Sequence, residues 1–344
     1  MSRPKVLVTG GTGYIGSHTV VELYEKGFEP VIADNLSNSD ISVLDNIQSI
    51  IGYRPVFYQL DVCDYQKLNE IFKNHHDLVA VIHFAAYKAV GESVLKPLKY
   101  YHNNLSSLVN LLQVMEMHNC HNLVFSSSCT VYGQPESLPV DEFAPIKTAE
   151  SPYGNTKQIG EEILRDCVEA NQHLKVVSLR YFNPIGAHLS AKIGELPNGV
   201  PSNLVPYITQ TAAGIREQLS VWGSDYNTPD GTCIRDFINV VDLAKAHVVA
   251  IERMIHNKCK KGFEFFNIGT GKGNSVLEII KSFEKVSGLK LNYRLADRRP
   301  GDVEKIYADT NFANIELGWR AEKSLDETVL SAWKWQQELL NRKQ

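Results

Sequence analysis

Short apolar blocks alternate with helically patterned stretches through the first half of the chain. Val6-Leu7-Val8 runs into a glycine-rich turn, the spacing over 14–26 is helical, and Gly27 stops it. Apolar blocks at 30–33, 78–84, 123–127 and 176–179 read as further strands. Between 84 and 123, Leu105, Leu108, Leu111, Leu112 and Met115 recur at three- and four-residue intervals, which places them on one helix face. Ser151-Pro152 marks a helix start, with serine as cap and proline at the first position, where its missing N–H costs nothing. This alternation predicts an α/β fold: a Rossmann-type doubly wound parallel sheet with helices on both faces.

After Pro184 the pattern breaks. Residues 186–206 are rich in glycine and proline, have no strong period and read as loop. The main boundary is placed near 185. A first domain covers 1–185, and 186–344 forms mainly a smaller mixed α/β lobe for substrate, with some segments returning to the first domain. The second part predicts a helix at 205–216, strands at 219–222 and 263–268, helices at 241–255 and 275–287, and a closing helix carrying Trp333 and Trp335.

Composition narrows the function classes. The chain has 43% hydrophobic and 22% charged residues, as in ordinary globular proteins. A net charge of −4 gives no reason to expect nucleic acid or an acidic membrane as partner, so an anionic ligand must be met by local basic groups. The 6 cysteines include no C-x-x-C pair, so neither a zinc site nor a redox motif is expected, and the thiols are expected to be reduced. No apolar stretch is long enough to span a bilayer and no signal peptide is evident; a cytoplasmic location without metal is the expectation.

The first chemical motif is Gly10-Gly11-Thr12-Gly13-Tyr14-Ile15-Gly16, between a strand and a helix. Small residues let backbone N–H groups approach a pyrophosphate at the helix N-terminus. Asp34 ends the next strand, where a carboxylate accepts hydrogen bonds from an adenosine ribose and repels a 2′-phosphate, so NAD is expected rather than NADP. A turn cap is the other reading of Asp34.

The second is Tyr153-Gly154-Asn155-Thr156-Lys157. On a helix, residues four apart share a face, so phenol and ammonium reach one region. A nearby ammonium favours phenolate and makes the tyrosine a proton acceptor. Taken alone, the two could equally be a surface pair. Ser126-Ser127-Ser128 ends an earlier strand, on the side where such sheets bind ligands; a serine there could hydrogen-bond the reacting oxygen or simply cap the loop.

The G-x-x-G-x-x-G spacing resembles the extended short-chain dehydrogenase/reductase family. Six segments together resemble its UDP-glucose 4-epimerases: Val8 to His18, Lys88-Ala89-Val90-Gly91-Glu92-Ser93-Val94, the serine run followed by Cys129-Thr130-Val131-Tyr132-Gly133, Tyr153 to Lys157, Arg180-Tyr181-Phe182-Asn183-Pro184, and Arg299-Pro300-Gly301-Asp302-Val303. The resemblance implies reversible interconversion of UDP-galactose and UDP-glucose through a transient 4-keto sugar, with tightly bound NAD, in a homodimer joined through helices near 98–117 and 152–171. It implies Ser128, Tyr153 and Lys157 as catalytic residues. For the cofactor it implies Gly10, Gly13, Tyr14, Ile15, Gly16, Asp34, Asn35, Asn38, Asp61 and Val62, then Phe84, Ala85, Ala86, Lys88, Asn103, Ser126 and Tyr181, with Tyr153 and Lys157 shared. For the nucleotide-sugar it implies Lys88, Ser128, Tyr153, Phe182, Asn183, Asn203, the backbone at Leu204, Arg235, Arg299, Asp302 and Ile306. Arg235 and Arg299 would clamp the diphosphate, since guanidinium forks suit phosphate oxygens. Ile306 would border the sugar 2-position, and its modest bulk predicts weaker activity on UDP-N-acetylhexosamines.

Six departures from the family pattern stand out. Ala86 and Tyr87 stand where glycine and leucine are frequent, which predicts crowding of the nicotinamide side. Ser202 replaces an asparagine, Phe237 a tyrosine and Asn239 a histidine. Cys129, in place of alanine beside the chemistry, is expected to be tolerated, with thiol oxidation as the attendant risk. The rival readings are a nucleotide-sugar 4,6-dehydratase, which needs an additional acid and base after the strand-end threonine, and a catalytically silent NAD-sensing protein.

Overall fold

The computed structural model describes residues 3–298 and 303–342. The first half builds β1 (Lys5–Thr9), α1 (Tyr14–Glu25), β2 (Glu29–Asp34), α2 (Ser42–Ile51), β3 (Val56–Gln59), α3 (Tyr65–Asn74) and β4 (Leu78–His83). It continues with α4 (Val90–Leu95), α5 (Pro97–Met117), β5 (Asn122–Ser128), α6 (Pro152–Ala170) and β6 (Lys175–Tyr181). The second half builds β7 (Asn183–Ile185), α7 (Leu204–Ala212), β8 (Leu219–Trp222), β9 (Ile234–Asn239), α8 (Val240–Ile255) and β10 (Phe263–Ile268). Last come β11 (Gly273–Ser275), α9 (Val276–Ser287), β12 (Tyr293–Ala296), β13 (Lys305–Ile306) and α10 (Leu325–Asn341).

Seven parallel strands form the main sheet in the order β10-β6-β5-β4-β1-β2-β3. The order reverses between β1 and β4, which opens a crevice at their C-terminal ends. Because both faces are covered, the central strands are apolar nearly throughout: Val6, Leu7, Val8, Val31 and Ile32 are fully buried. On one face α1 packs against α8, and Val20, Leu243, Ala246 and Ile251 join the core beneath. On the other, Leu68, Ile71, Leu108, Leu111 and Leu164 from α3, α5 and α6 fill the second layer.

Residues 240–268 therefore belong physically to this sheet, since α8 covers it and β10 extends its edge. The smaller part gathers around β9, which pairs with β11, β13 and β7, with β8 and β12 as a separate pair. Ile279, Phe283, Val329 and Trp333 from α9 and α10 form its core with Val205 and Ile208. Both helices begin at capping boxes, Ser275 with Glu278 and Ser324 with Glu327, each satisfying two otherwise free N–H groups.

One expected helix is shorter than its pattern. The element over 205–216 ends at Ala212 because Gly214 adopts a φ of 71°, and the N–H groups of Gly214 and Ile215 turn back onto Thr211 and Gln210.

Candidate active site

The glycine turn connects β1 to α1 at the crevice. Gly10 has a φ of 73°, and a Cβ there would lie 2.9 Å from the Ala85 backbone nitrogen. At Gly16 a Cβ would collide with the Gly10 carbonyl. Gly13, the N-cap of α1, offers no capping side chain, so the first N–H groups of the helix are left for a ligand. Tyr14 reaches away, its hydroxyl donating to the Gly186 carbonyl at 2.7 Å. Asp34 accepts from the N–H groups of Thr12 at 3.2 Å and Leu36 at 2.9 Å, so it fastens the β2 loop to the glycine turn. The turn-cap reading of Asp34 and its place at the crevice hold together. Asn35 donates to Asp61 at 3.3 Å, Asn38 is exposed and Val62 is buried. A turn that side chains would fill, an open helix N-terminus and a carboxylate ending β2 fit a dinucleotide's pyrophosphate and ribose.

Ser126, Ser127 and Ser128 end β5 and do three different things. The Ser126 carbonyl accepts from Lys157 Nζ at 2.6 Å, while its hydroxyl accepts from the Tyr181 hydroxyl. Ser127 turns the other way and donates to Glu161 at 2.7 Å. Ser128 Oγ accepts from Thr130 N at 3.2 Å and also hydrogen-bonds Tyr153. The Ser151 cap on Gly154 N, at 3.2 Å, sets where α6 begins and so where Tyr153 and Lys157 stand. Lys157 Nζ lies 5.9 Å from the centre of the Tyr153 ring and 4.9 Å from that of Phe125.

Burial dominates the protonation states of the free site. The Tyr153 phenol is pushed up to about 12 by desolvation, with the Ser128 hydrogen bond opposing. Lys157 is pushed down to about 8 by desolvation, with the Glu161 charge opposing. Without a further positive charge Tyr153 keeps its proton at neutral pH. Glu161 is itself held by Arg180, at 2.9 Å and 2.5 Å, and by Ser127 and Ser178. The pair is 1% exposed on each side.

Around the crevice, Phe84 packs 4.7 Å from the ring of His247, and Ala85 and Ala86 are half-buried. Tyr87 does not crowd inward: its ring lies on α5, 5.7 Å from Tyr100 and 4.2 Å from Lys99 Nζ. Asn104, a residue with no sequence signal, holds both the N–H and the carbonyl of Tyr87 and donates to Thr156 on α6. Its neighbour Asn103 donates to it at 3.0 Å. Phe182 and Ile306 are buried together with Cys129, Val131 and Tyr132. Cys129 is 9% exposed and burial pushes its thiol up to about 12, so the reactive thiolate is suppressed, in keeping with the expected tolerance. Asn183 sits on β7 beside Phe237 of β9, which is buried. Asn239 caps α8 through Val241 N.

Arg235, on β9, donates to the carbonyls of Ile234 and Glu304, and its charge bears on the Cys129 thiol, which places it beside the serine strand. The next residue, Asp236, had no signal. It is fully buried and accepts from Thr270, Gly271 and Ala308, pinning β9 behind that arginine. Lys88 pairs with Glu195 at 3.5 Å, and Asn203 donates to the same oxygen at 2.5 Å, just before Leu204 opens α7. Ser202 is exposed. Arg299 and Asp302 lie outside the described residues.

This constellation has counterparts. Residues 7–331 match a family profile described as GDP-mannose 4,6 dehydratase. A UDP-glucose 4-epimerase of Bacillus subtilis is 51% identical over 336 residues, covering 98% of both chains. The chain belongs to the UDP-glucose 4-epimerase family. Solved structures of that family superpose closely. One is the UDP-glucose 4-epimerase of Stenotrophomonas maltophila with bound NAD and formylated UDP-arabinopyranose: its TM-score is 0.95, at 46% identity over 98% of this chain and 99% of that one. Another is from Bifidobacterium longum, in complex with NAD+ and UDP: its TM-score is 0.93, at 46% identity over 98% and 99%. The family accounts for the whole described architecture, including the return of α8 and β10 to the main sheet.

Proposed function

We propose that this epimerase-family chain interconverts UDP-galactose and UDP-glucose by inverting the sugar 4-hydroxyl, with NAD held throughout. The observation that carries the reading is the joining of Ser128, Tyr153 and Lys157 at the ends of β5 and α6 beside the glycine turn. NAD, when bound, supplies the hydride acceptor and donor for the sugar's C4.

The chain's own residues manage the proton. Tyr153 takes the proton of the 4-hydroxyl, holds it while the sugar is a 4-ketose, and returns it to the same oxygen after the other face is presented. Ser128 hydrogen-bonds that oxygen and the phenol. Lys157, anchored on the Ser126 carbonyl, places an ammonium below the ring, and its depressed pKa shows how dry the site is. Together with the Lys157 ammonium, the positive charge of the bound cofactor would favour the phenolate. Gly10, Gly13, Tyr14, Ile15, Gly16, Asp34, Asn35, Asn38, Asp61 and Val62 form the adenosine side of the cofactor site. Phe84, Ala85, Ala86, Lys88, Asn103, Ser126 and Tyr181 form the nicotinamide side. Arg235 and Arg299 hold the diphosphate, Asp302 the uridine ribose, and Phe182, Asn183, Asn203 and Leu204 the nucleotide-sugar.

A dehydratase fits less well. Where that chemistry wants an acid and a base, this chain has Cys129-Thr130-Val131, with Cys129 and Val131 buried. We further propose lobes divided near 185, a cytoplasmic location in keeping with 6 free thiols, and a homodimer through α5 and α6, where Leu98 and Val109 are exposed.

Two measurements bear on this. Denaturing the purified protein should release NAD; release of none, with turnover strictly dependent on added NADP, would overturn the cofactor assignment. Ile306 is 6% exposed beside Phe182 and Cys129, so added bulk there presses on the pocket rather than on solvent. The parent should turn over UDP-N-acetylgalactosamine measurably but more slowly than UDP-galactose, and Ile306→Tyr should suppress the N-acetyl activity selectively. Equal losses on both substrates would show that Ile306 is packing only.

A further inference from the structure

Glu195 lies in the loop between β7 and α7 and carries no assignment in the reading above. Its carboxylate is 13% exposed on the side-chain scale. One oxygen accepts from Asn203 Nδ2 at 2.5 Å and faces Lys88 Nζ at 3.5 Å. These two partners come from opposite sides of the crevice: Lys88 follows β4 of the main sheet, and Asn203 precedes α7 of the smaller part. The loop that presents Glu195 is itself fixed. Its backbone carbonyl accepts from Trp335 Nε1 on α10 at 2.9 Å, and Tyr14 on α1 holds the Gly186 carbonyl at 2.7 Å.

The bond to Asn203 has a local consequence. Asn203 is the N-cap residue of α7, with φ −96° and ψ 150°, yet its side chain makes no capping hydrogen bond. Asparagine is among the best capping residues, so something must hold it away from the helix. Its amide is committed to Glu195 instead. The third helical residue is Pro206, which has no N–H, so a capping side chain here would have to take the Val205 N–H. With Asn203 drawn aside, the N–H groups of Leu204 and Val205 have no capping side chain. Lys88 balances the carboxylate charge, so an anionic nucleotide-sugar meets a nearly neutral bridge.

We propose that Glu195 is a positioning residue for nucleotide-sugar binding: it ties Lys88 to Asn203 across the crevice and keeps Asn203 from capping α7. This rests on the epimerase reading and adds a residue to it. Removing the carboxylate frees Asn203 to swing onto the Val205 N–H, which occupies that backbone donor and turns the side chain toward the helix. The loss falls on binding rather than on proton transfer, because Glu195 touches none of Ser128, Tyr153 and Lys157.

The test is steady-state kinetics with UDP-galactose on the full chain. Glu195→Ala should raise KM roughly tenfold, as loss of one charged hydrogen bond does, with kcat within about threefold of the parent. Glu195→Gln keeps an acceptor for Asn203 and should recover most of that KM. In an Asn203→Ala background, Glu195→Ala should add no further change, since its effect runs through that side chain. An active parent whose KM is unmoved by Glu195→Ala, losses that fall on kcat instead, or effects of the two substitutions that multiply would each overturn the role of Glu195 and leave the functional reading standing. A parent with no epimerase activity would remove the reading, and this role with it.

Discussion

Tyr153→Phe should lower turnover of UDP-galactose by roughly 10²–10⁴-fold while UDP affinity stays within about threefold. The substitution removes one oxygen and leaves the ring that packs near Lys157. That oxygen is the proton carrier in both directions, so no later step restores what is lost. The pKa directions sharpen the expectation. Burial pushes the phenol up to about 12 and the lysine down to about 8, so the dry site disfavours the charged form of each. Below about pH 8 Lys157 carries the charge that draws the phenol down, and above it that support fades. The parent's kcat/KM should therefore fall on the alkaline side, and the variant's residual activity should lose this dependence. Unchanged turnover in Tyr153→Phe would mean that another group moves the proton.

Arg180→Met should destabilise the fold by about 3–5 kcal/mol, because it strands a buried carboxylate. Arg180 and Glu161 are each 1% exposed and joined by two hydrogen bonds. The guanidinium also reaches the Tyr132 hydroxyl at 3.0 Å and the Glu142 carbonyl at 3.3 Å, tying β6 and α6 to the segment after β5. Removing both charges in Arg180→Met/Glu161→Leu should recover much of the stability, since an apolar pair of similar volume is often as stable as a buried ion pair. Activity should not recover with it. Glu161 opposes the desolvation of Lys157, so its loss lowers the lysine further and moves the alkaline limb of the pH profile to lower pH. Urea midpoints and pH profiles on the three proteins separate the two effects. A double variant that is both stable and unshifted would show that Glu161 serves packing alone.

The parallel sheet was legible because strands buried on both faces must be apolar nearly throughout, and 6–8, 30–33, 78–84, 123–127 and 176–179 carry that mark, whereas 263–268 reads as a strand of the second part and forms the sheet's edge. The glycine turn and the Tyr153–Lys157 spacing were legible because their chemistry needs particular residues at fixed offsets. What stayed hidden was of two kinds. Strand β3 at the sheet edge has no fully buried residue, so it lacks the mark of the central strands. Asn104, Asp236 and Glu195 meet Tyr87, Thr270 and Lys88 across 17, 34 and 107 residues, and no local pattern marks such pairings. Tyr87 shows the reverse failure: its size suggested crowding of the crevice, but Asn104 fixes its backbone and the ring settles on α5.

The central claim is that this chain inverts the 4-hydroxyl of a UDP-hexose with a cofactor it already holds. The direct measurement is a coupled assay that feeds UDP-galactose to the purified protein with no added dinucleotide and detects UDP-glucose. Steady production of UDP-glucose, with Tyr153→Phe as the inactive control, is the predicted result. No UDP-glucose from protein shown to carry NAD, or the release of a dehydrated 4-keto-6-deoxy sugar in its place, would contradict the account.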